Sequence, residues 1–331
     1  MTADDPHAGS GATPERDAPF AKPSARARWG ALAPNVQGAA WLVISAVASA
    51  SMLIAAKGLG DHIHTFQITF IRAAASCVLA LPLLRGMTWT RLKPQRPLLI
   101  ITRSALATAT ISLLFFSVSR IPLADAQALN FASVVFVIPL SVVFLGERVG
   151  INRWAAVIIG FLGVLVVLRP TGAVNIGAVA GVLGAAVYAL MLINVRFLSR
   201  SMDANALYVW GIGLLAAFSL PLALTVWTPP SGQDWPILGA VGVFGALSQY
   251  AAVRAYAIGE ASAIAPVDYL KLVFAILGGV IVFQEFPDAW TIVGAALIVI
   301  ATAYAAYREA QRGAQARTAR NAGSVSGPTD P

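Results

Sequence analysis

The chain has 331 residues, 58% of them hydrophobic and 11% charged, with a mean hydropathy of +0.74. An ordinary soluble domain carries about 25% charged residues, so this chain lacks the polar surface to wet one or two soluble domains. That excludes a soluble enzyme and leaves a polytopic membrane protein. The net charge of +8 resembles that of a phosphate-binding groove, but the basic residues fall mostly between apolar runs, where topology signals sit; nucleic acid is not an expected partner.

Residues 1–36 are rich in Ala, Pro, Gly and charge, with Pro6, Pro14, Pro19, Pro23 and Pro34 interrupting any helix, and read as a disordered tail. Ten apolar segments follow: Gly38–Ala56, Phe66–Leu84, Leu98–Val118, Ala124–Phe144, Trp154–Leu168, Ile176–Val195, Ala206–Trp227, Pro236–Ile258, Ser262–Phe283 and Trp290–Tyr307. Each suits a membrane-crossing helix, and none shows the alternation of a barrel strand. Residues 309–331 read as a second tail. The expected fold is all-α, with ten transmembrane helices.

With the amino terminus inside, the inner segments collect Arg16, Lys22, Arg26 and Arg28, then Arg85, Arg91, Lys93 and Arg96, then Arg148 and Arg153, Arg196 and Arg200, and finally Arg308, Arg312, Arg317 and Arg320. The outer segments keep Lys57, Arg120 and Arg169. This asymmetry places both termini in the cytoplasm. Cys77 is the single cysteine, and His7, His62 and His64 lack a third ligand nearby, so neither a disulfide framework nor a metal site is expected.

A shift of 139 carries Gly38, Ala39, Val43, Ala46, Ala50, Met52 and Ile54 onto Gly177, Ala178, Val182, Ala185, Ala189, Met191 and Ile193, and Leu81-Pro82-Leu83 onto Leu220-Pro221-Leu222. A shift of 138 carries Val135, Phe136, Ile138, Val142 and Glu147 onto Val273, Phe274, Ile276, Val280 and Glu285. The chain is thus an internal duplication, read as residues 37–170 and 171–308. Five spans per copy is an odd number, so the copies are inverted, a recurrent plan of secondary transporters with a site near the midplane.

Asp268 and Lys271 stand three apart on one helix face and can pair. Their repeat mates are Asn130 and Ser133, so both halves place polar groups at one depth. Charges within spans usually face a pathway; the alternative is mutual neutralisation that holds helices together. Arg72 either contacts an anionic substrate or snorkels to an interface. Glu147 and Glu285, at equivalent boundaries, are gates or helix caps. Trp41, Tyr188, Trp210, Tyr250, Tyr256 and Tyr269 offer stacking surfaces, Tyr269 favoured by its neighbours, and Pro139 and Pro266 are candidate helix breaks.

Leu145-Gly146-Glu147-Arg148, Trp154 with Gly160 and Gly163, Ile258-Gly259-Glu260-Ala261-Ser262, Pro266, Tyr269-Leu270 and Glu285 together resemble the ten-span EamA-type branch of the drug/metabolite transporter superfamily over residues 36–310. The tract Ile63–Arg72 is similar to the second span of its S-adenosylmethionine-uptake subgroup. The resemblance implies a bacterial inner-membrane carrier with a central cavity and small polar cargo such as amino acids, nucleotide-like metabolites or vitamins. It implies no cofactor, and no ATP-binding motif is visible. Homodimerisation and proton coupling stay open. The competing readings are an integral-membrane lipid-modifying enzyme, for which no clustered nucleophile and base stands out, and a non-transporting scaffold.

Overall fold

A computed structural model describes residues 33–60, 62–84, 94, 96–146, 150–168, 175–198, 202, 204–259, 264–304 and 307. Residues 1–32 and the carboxy-terminal tail lie outside the described residues, as do most of the basic loop residues; Pro34, Asn35 and Val36, expected in the amino-terminal tail, open the first helix, where proline's missing amide costs nothing. The elements are α1 (Pro34–Gly58), α2 (Thr65–Leu84), α3 (Pro97–Arg120), α4 (Leu123–Phe131), α5 (Ser133–Leu145), α6 (Ile151–Leu168), α7 (Ile176–Leu198), α8 (Ala204–Thr225), α9 (Asp234–Ile258), a 3-10 turn (Ala265–Tyr269), α10 (Leu270–Phe283) and α11 (Ala289–Tyr304). Seven of the ten expected segments form helices long and apolar enough to cross a membrane, α4 and α5 counting as one; α6 and α11 are shorter apolar helices. The remaining span is the 3-10 turn with α10. The fold is all-helical, with ten transmembrane segments in two inverted repeats.

The packing follows a pseudo-two-fold axis. The two most extensive interfaces are α1 with α9 and α3 with α7, and the repeat exchanges one for the other, since α1 and α3 are mates of α7 and α9. The next is α2 with α8, which are mates of each other. Lipid-facing positions repeat as well: Val143 and Ile281, at equivalent places, are each 75% exposed. So many exposed large apolar side chains are stable only with lipid against them.

Small residues bring the backbones close, as membrane helices require in the absence of a hydrophobic drive between them. In α1 and α9, the Ser45 hydroxyl donates to Ser248 O at 2.9 Å and the Ser248 hydroxyl returns a bond to Ser45 O at 3.0 Å. Where α6 crosses α11, a Cβ on Gly163 would stand 2.8 Å from the Gly294 carbonyl oxygen, so the crossing excludes any larger residue.

The fourth span, expected as one helix, is two. Around Ala132 the ladder tightens: the Ala132 amide bonds Leu129 O and the Val135 amide bonds Ala132 O. Its mate in the ninth span is the junction of the 3-10 turn with α10 at Leu270. Neither break coincides with the expected effect of Pro139, which sits inside α5 without ending it; proline removes one amide bond and crowds a single carbonyl, and neighbouring helices hold the rest. Pro266 lies in the 3-10 turn itself. Both spans end alike, with Gly146 (φ +65°) and its mate Gln284 (φ +57°) in the left-handed conformation.

Candidate functional site

Between α2, α3, α7, α8 and α9 lies a cavity of about 200 Å³ whose polar lining includes Arg72, Arg103, Asn130, Tyr188, Tyr208 and Gln249. Arg72 reaches it from about two turns inside α2. The neighbouring hydroxyls donate to their own helix, Thr69 to Thr65 O at 2.8 Å and Ser76 to Arg72 O at 2.9 Å. Arg72 Nε donates to Met52 Sδ at 3.2 Å, a weak acceptor.

Both guanidiniums are seated against glycine. A Cβ on Gly245 would stand 2.7 Å from Arg72 Nε, and one on Gly211 would collide with Arg103 Nη1. Arg103 Nε is buried without a hydrogen-bond partner. Among the described residues neither arginine has a carboxylate partner. A charge at the bilayer centre costs about 2.5–3.5 kcal/mol on insertion scales, and these two are not offset by any acidic side chain.

A second space, of about 240 Å³, shares Tyr208 and is otherwise lined by Asn205, Tyr250, Val253 and Arg254. The Arg254 guanidinium lies 5.8 Å from the centre of the Tyr250 ring, which Trp41 meets edge-on at 6.0 Å. A larger groove, about 850 Å³, runs between α2, α3, α7 and α8 past Phe66, Phe116, Leu183 and Phe218. It is overwhelmingly apolar and suits acyl chains. The polar chemistry is in the smaller cavity.

At the opposite end of the molecule a polar cluster ties the helix ends together. Lys57, at the end of α1, forms an ion pair with Glu285, donates to Ile121 O at 2.9 Å and lies 5.5 Å from the Phe283 ring centre. Glu285 Oε2 accepts the Leu123 amide at 3.1 Å, so one carboxylate both pairs with a cation and caps α4. Beneath it the main apolar core, including Leu53, Leu59, Ile63, Phe115, Leu123 and Leu238, is almost wholly buried. At the same end, the Gln67 amide bonds Thr228 O at 2.9 Å and its carbonyl accepts the Thr228 amide at 3.1 Å, and His62 Nε2 meets Asp234 Oδ1 at 2.9 Å.

Of the residues singled out from the sequence, Arg72 and Asn130 meet in the cavity, with Tyr188 from the aromatic set. Lys271 Nζ lies 2.6 Å from Asp268 Oδ1, each side chain about a quarter exposed; the pair stands beside the cavity, Asp268 within electrostatic reach of Tyr188. Tyr269 packs on Phe131. Ser133 is buried at the start of α5 and is not a lining residue. Glu147 lies outside the described residues. Sequence reasoning missed Arg103, Tyr208 and Gln249 as site residues; a cation inside the third span was the available signal for the first.

The EamA-like transporter family model matches residues 36–169 and 175–307. The chain is 31% identical to an S-adenosylmethionine uptake transporter of Rickettsia felis over 281 residues, 84% of this chain and 95% of that protein. It is 30% identical to a riboflavin transporter of Vibrio cholerae over 288 residues, 85% and 97% of the two. A pseudopaline exporter of Pseudomonas aeruginosa is 29% identical over 238 residues, 71% and 84%. One solved crystal structure shares the fold at a TM-score of 0.55 and 19% identity, over 81% of this chain and 96% of its own.

Proposed function

The chain belongs to the EamA-like transporter family, and from that membership we propose that it is a secondary carrier of a small polar metabolite, working by alternating access about the pseudo-two-fold axis. The observation that carries this reading is a polar cavity at the interface of the two repeats, where an inverted-repeat carrier holds its cargo. Relatives over most of the chain's length are named as an S-adenosylmethionine uptake transporter, a riboflavin transporter and a pseudopaline exporter, which supports a small-molecule cargo.

The distribution of basic residues in the sequence supports a bacterial inner-membrane protein with both termini in the cytoplasm. In that orientation the Lys57–Glu285 cluster is the outer gate, shut, and the space lined by Arg254 is the inner vestibule. The structure described above is then the inward-facing state. Glu285 acts as gate and cap together. The Asp268–Lys271 pair, at the helix junction beside the cavity, is the coupling element: occupation of the cavity, or a proton on Asp268, opens the pair and lets the ninth span reseat.

The test is counterflow into proteoliposomes containing the purified protein, offering S-adenosylmethionine, riboflavin, amino acids and nucleosides, with Asp268→Asn in parallel. Accumulation of one class by the wild type and its loss in the variant is the expected result. Accumulation of one class by both proteins equally removes the coupling role. Absence of all uptake by folded protein under an imposed proton gradient counts against the carrier reading.

A further inference from the structure

The arginines of the cavity break the symmetry of the fold, and the break has a chemical direction. At the shift of 139, Arg72 falls on Gly211 and Arg103 on Gly242. Both guanidiniums of the cavity thus come from the first repeat, and the second repeat answers with glycine at the two equivalent places. Gly211 does more than lack a charge, because it is the residue against which Arg103 rests. The second repeat provides the room that the first repeat's cations occupy.

The cavity therefore holds two cationic side chains and no carboxylate among its lining residues. Asp268, within electrostatic reach of Tyr188, is engaged by Lys271 at 2.6 Å. The buried Arg103 Nε aims no hydrogen bond at any protein group, and the vestibule that shares Tyr208 adds a third guanidinium, Arg254. Among the described residues the polar route is lined by three cations and has no acid on its walls. Guanidinium forks bind carboxylate and phosphate oxygens in pairs.

We propose that the cargo carries an oxyanion, a carboxylate or a phosphate, and that Arg72 and Arg103 hold this group in the cavity while the rest of the molecule extends past Tyr208 into the vestibule. The inference rests on the carrier reading and narrows it to a substrate class. At about 200 Å³, below the roughly 300–1,000 Å³ of a typical small-molecule site, the cavity takes the oxyanion end of a metabolite and leaves the remainder outside it. Size directs the remainder of a larger metabolite toward the vestibule, of about 240 Å³. The missing counter-charge of the two arginines is supplied by the cargo.

The test uses purified full-length protein and a size-matched four-carbon series: succinate, 4-aminobutyrate, 1,4-butanediol and putrescine, with glycerol 3-phosphate as the phosphate arm. Binding is read as thermal stabilisation at matched ionic strength. Succinate, glycerol 3-phosphate or both stabilise the wild type, and butanediol and putrescine do not; which anion does so separates carboxylate from phosphate recognition. Arg72→Gln and Arg103→Gln each weaken apparent affinity tenfold or more. Gly211→Ala keeps every charge but displaces the Arg103 head group, and it lowers affinity likewise with the protein's elution profile unchanged. Stabilisation by putrescine or butanediol equal to that by the anions, anion binding undiminished in the Arg72→Gln/Arg103→Gln double variant, or no response to either anion overturns the proposal. Counterflow of a neutral or cationic compound in the same preparation would then leave the carrier reading standing, whereas anion binding without counterflow of any compound would sink that reading alone.

Discussion

Phe131 and Tyr269 occupy the same position in the two repeats and pack against each other, ring centres 5.3 Å apart and planes inclined by 52°. Two mates that touch must lie at the pseudo-two-fold axis, and each precedes a helix irregularity, at Ala132 and Leu270. The repeats therefore touch where both depart from regular α-helix. An aromatic pair is worth about 0.5–1.5 kcal/mol beyond its burial, enough to favour one packing of the junction without locking it. Tyr269→Ala is expected to reduce transport severalfold, and Tyr269→Phe, which keeps the ring, to retain most of it. Uptake rates normalised to inserted protein check this; equal rates in the alanine variant and wild type would remove the axis contact from the mechanism.

The proposed gate at Lys57 and Glu285 makes a second prediction. Lys57 and Glu285 join the end of α1 to the end of α10, so a covalent link between them holds that end shut. In a Cys77→Ser background, Lys57→Cys/Glu285→Cys bridged by a reducible bifunctional thiol reagent long enough to replace both side chains is expected to lose counterflow and regain it on reduction. Undiminished transport by the cross-linked protein would show that this end does not open. Neutralising Glu285 alone with Gln keeps an acceptor for the Leu123 amide but leaves Lys57, 13% exposed, without its anion, and is expected to loosen that end and lower the thermal midpoint of the purified protein.

Much of this architecture was legible in the residues. The ten apolar segments, the duplication and the inverted repeat are consequences of span length and odd parity, and those properties survive any detail of packing. What the sequence reading did not provide was the break at Ala132, because the residue is helix-compatible and the tightening comes from what packs around it. Pro139 drew attention instead, and its cost was absorbed within α5. The site was half legible. Arg72 and Asn130 were recognisable as polar groups at mid-span depth, whereas Arg103 gained meaning only once Gly211 was seen beneath it; a glycine's role as a seat is invisible until its neighbour in space is known. Ser133, chosen as the mate of Lys271, points to the limit of symmetry as a guide, since the repeats share a backbone but not a cavity wall.

The helix ends offer a stability prediction independent of transport. Gly146 and Gln284 adopt the same left-handed cap, bonding Ser141 O and Gly279 O respectively, but only the glycine does so without a Cβ clash. A left-handed residue other than glycine costs roughly 1–2 kcal/mol, and glycine is the usual residue at this position. Gln284→Gly is expected to recover about 1 kcal/mol and raise the thermal midpoint of the purified protein. The Glu285 amide bond to Gly279 O should persist, so transport stays near the wild-type rate. A lower midpoint would mean that the Gln284 side chain holds something at the outer end worth more than the strain.

The Asp268–Lys271 pair separates the coupling role from simple neutralisation by the order in which charge is removed. Each single change, Asp268→Asn or Lys271→Ala, leaves one charge near the helix junction without its partner 2.6 Å away. Breaking a buried pair from one side is strongly destabilising, while replacing both members is often close to neutral, although partial exposure reduces both effects here. A purely structural pair therefore predicts that Asp268→Asn/Lys271→Gln restores what the single variants lose, in abundance and in transport alike. A coupling pair predicts that abundance returns and transport does not. Quantifying inserted protein and initial uptake in the same vesicles distinguishes the two outcomes, and recovery of both together would return Asp268 and Lys271 to the scaffold.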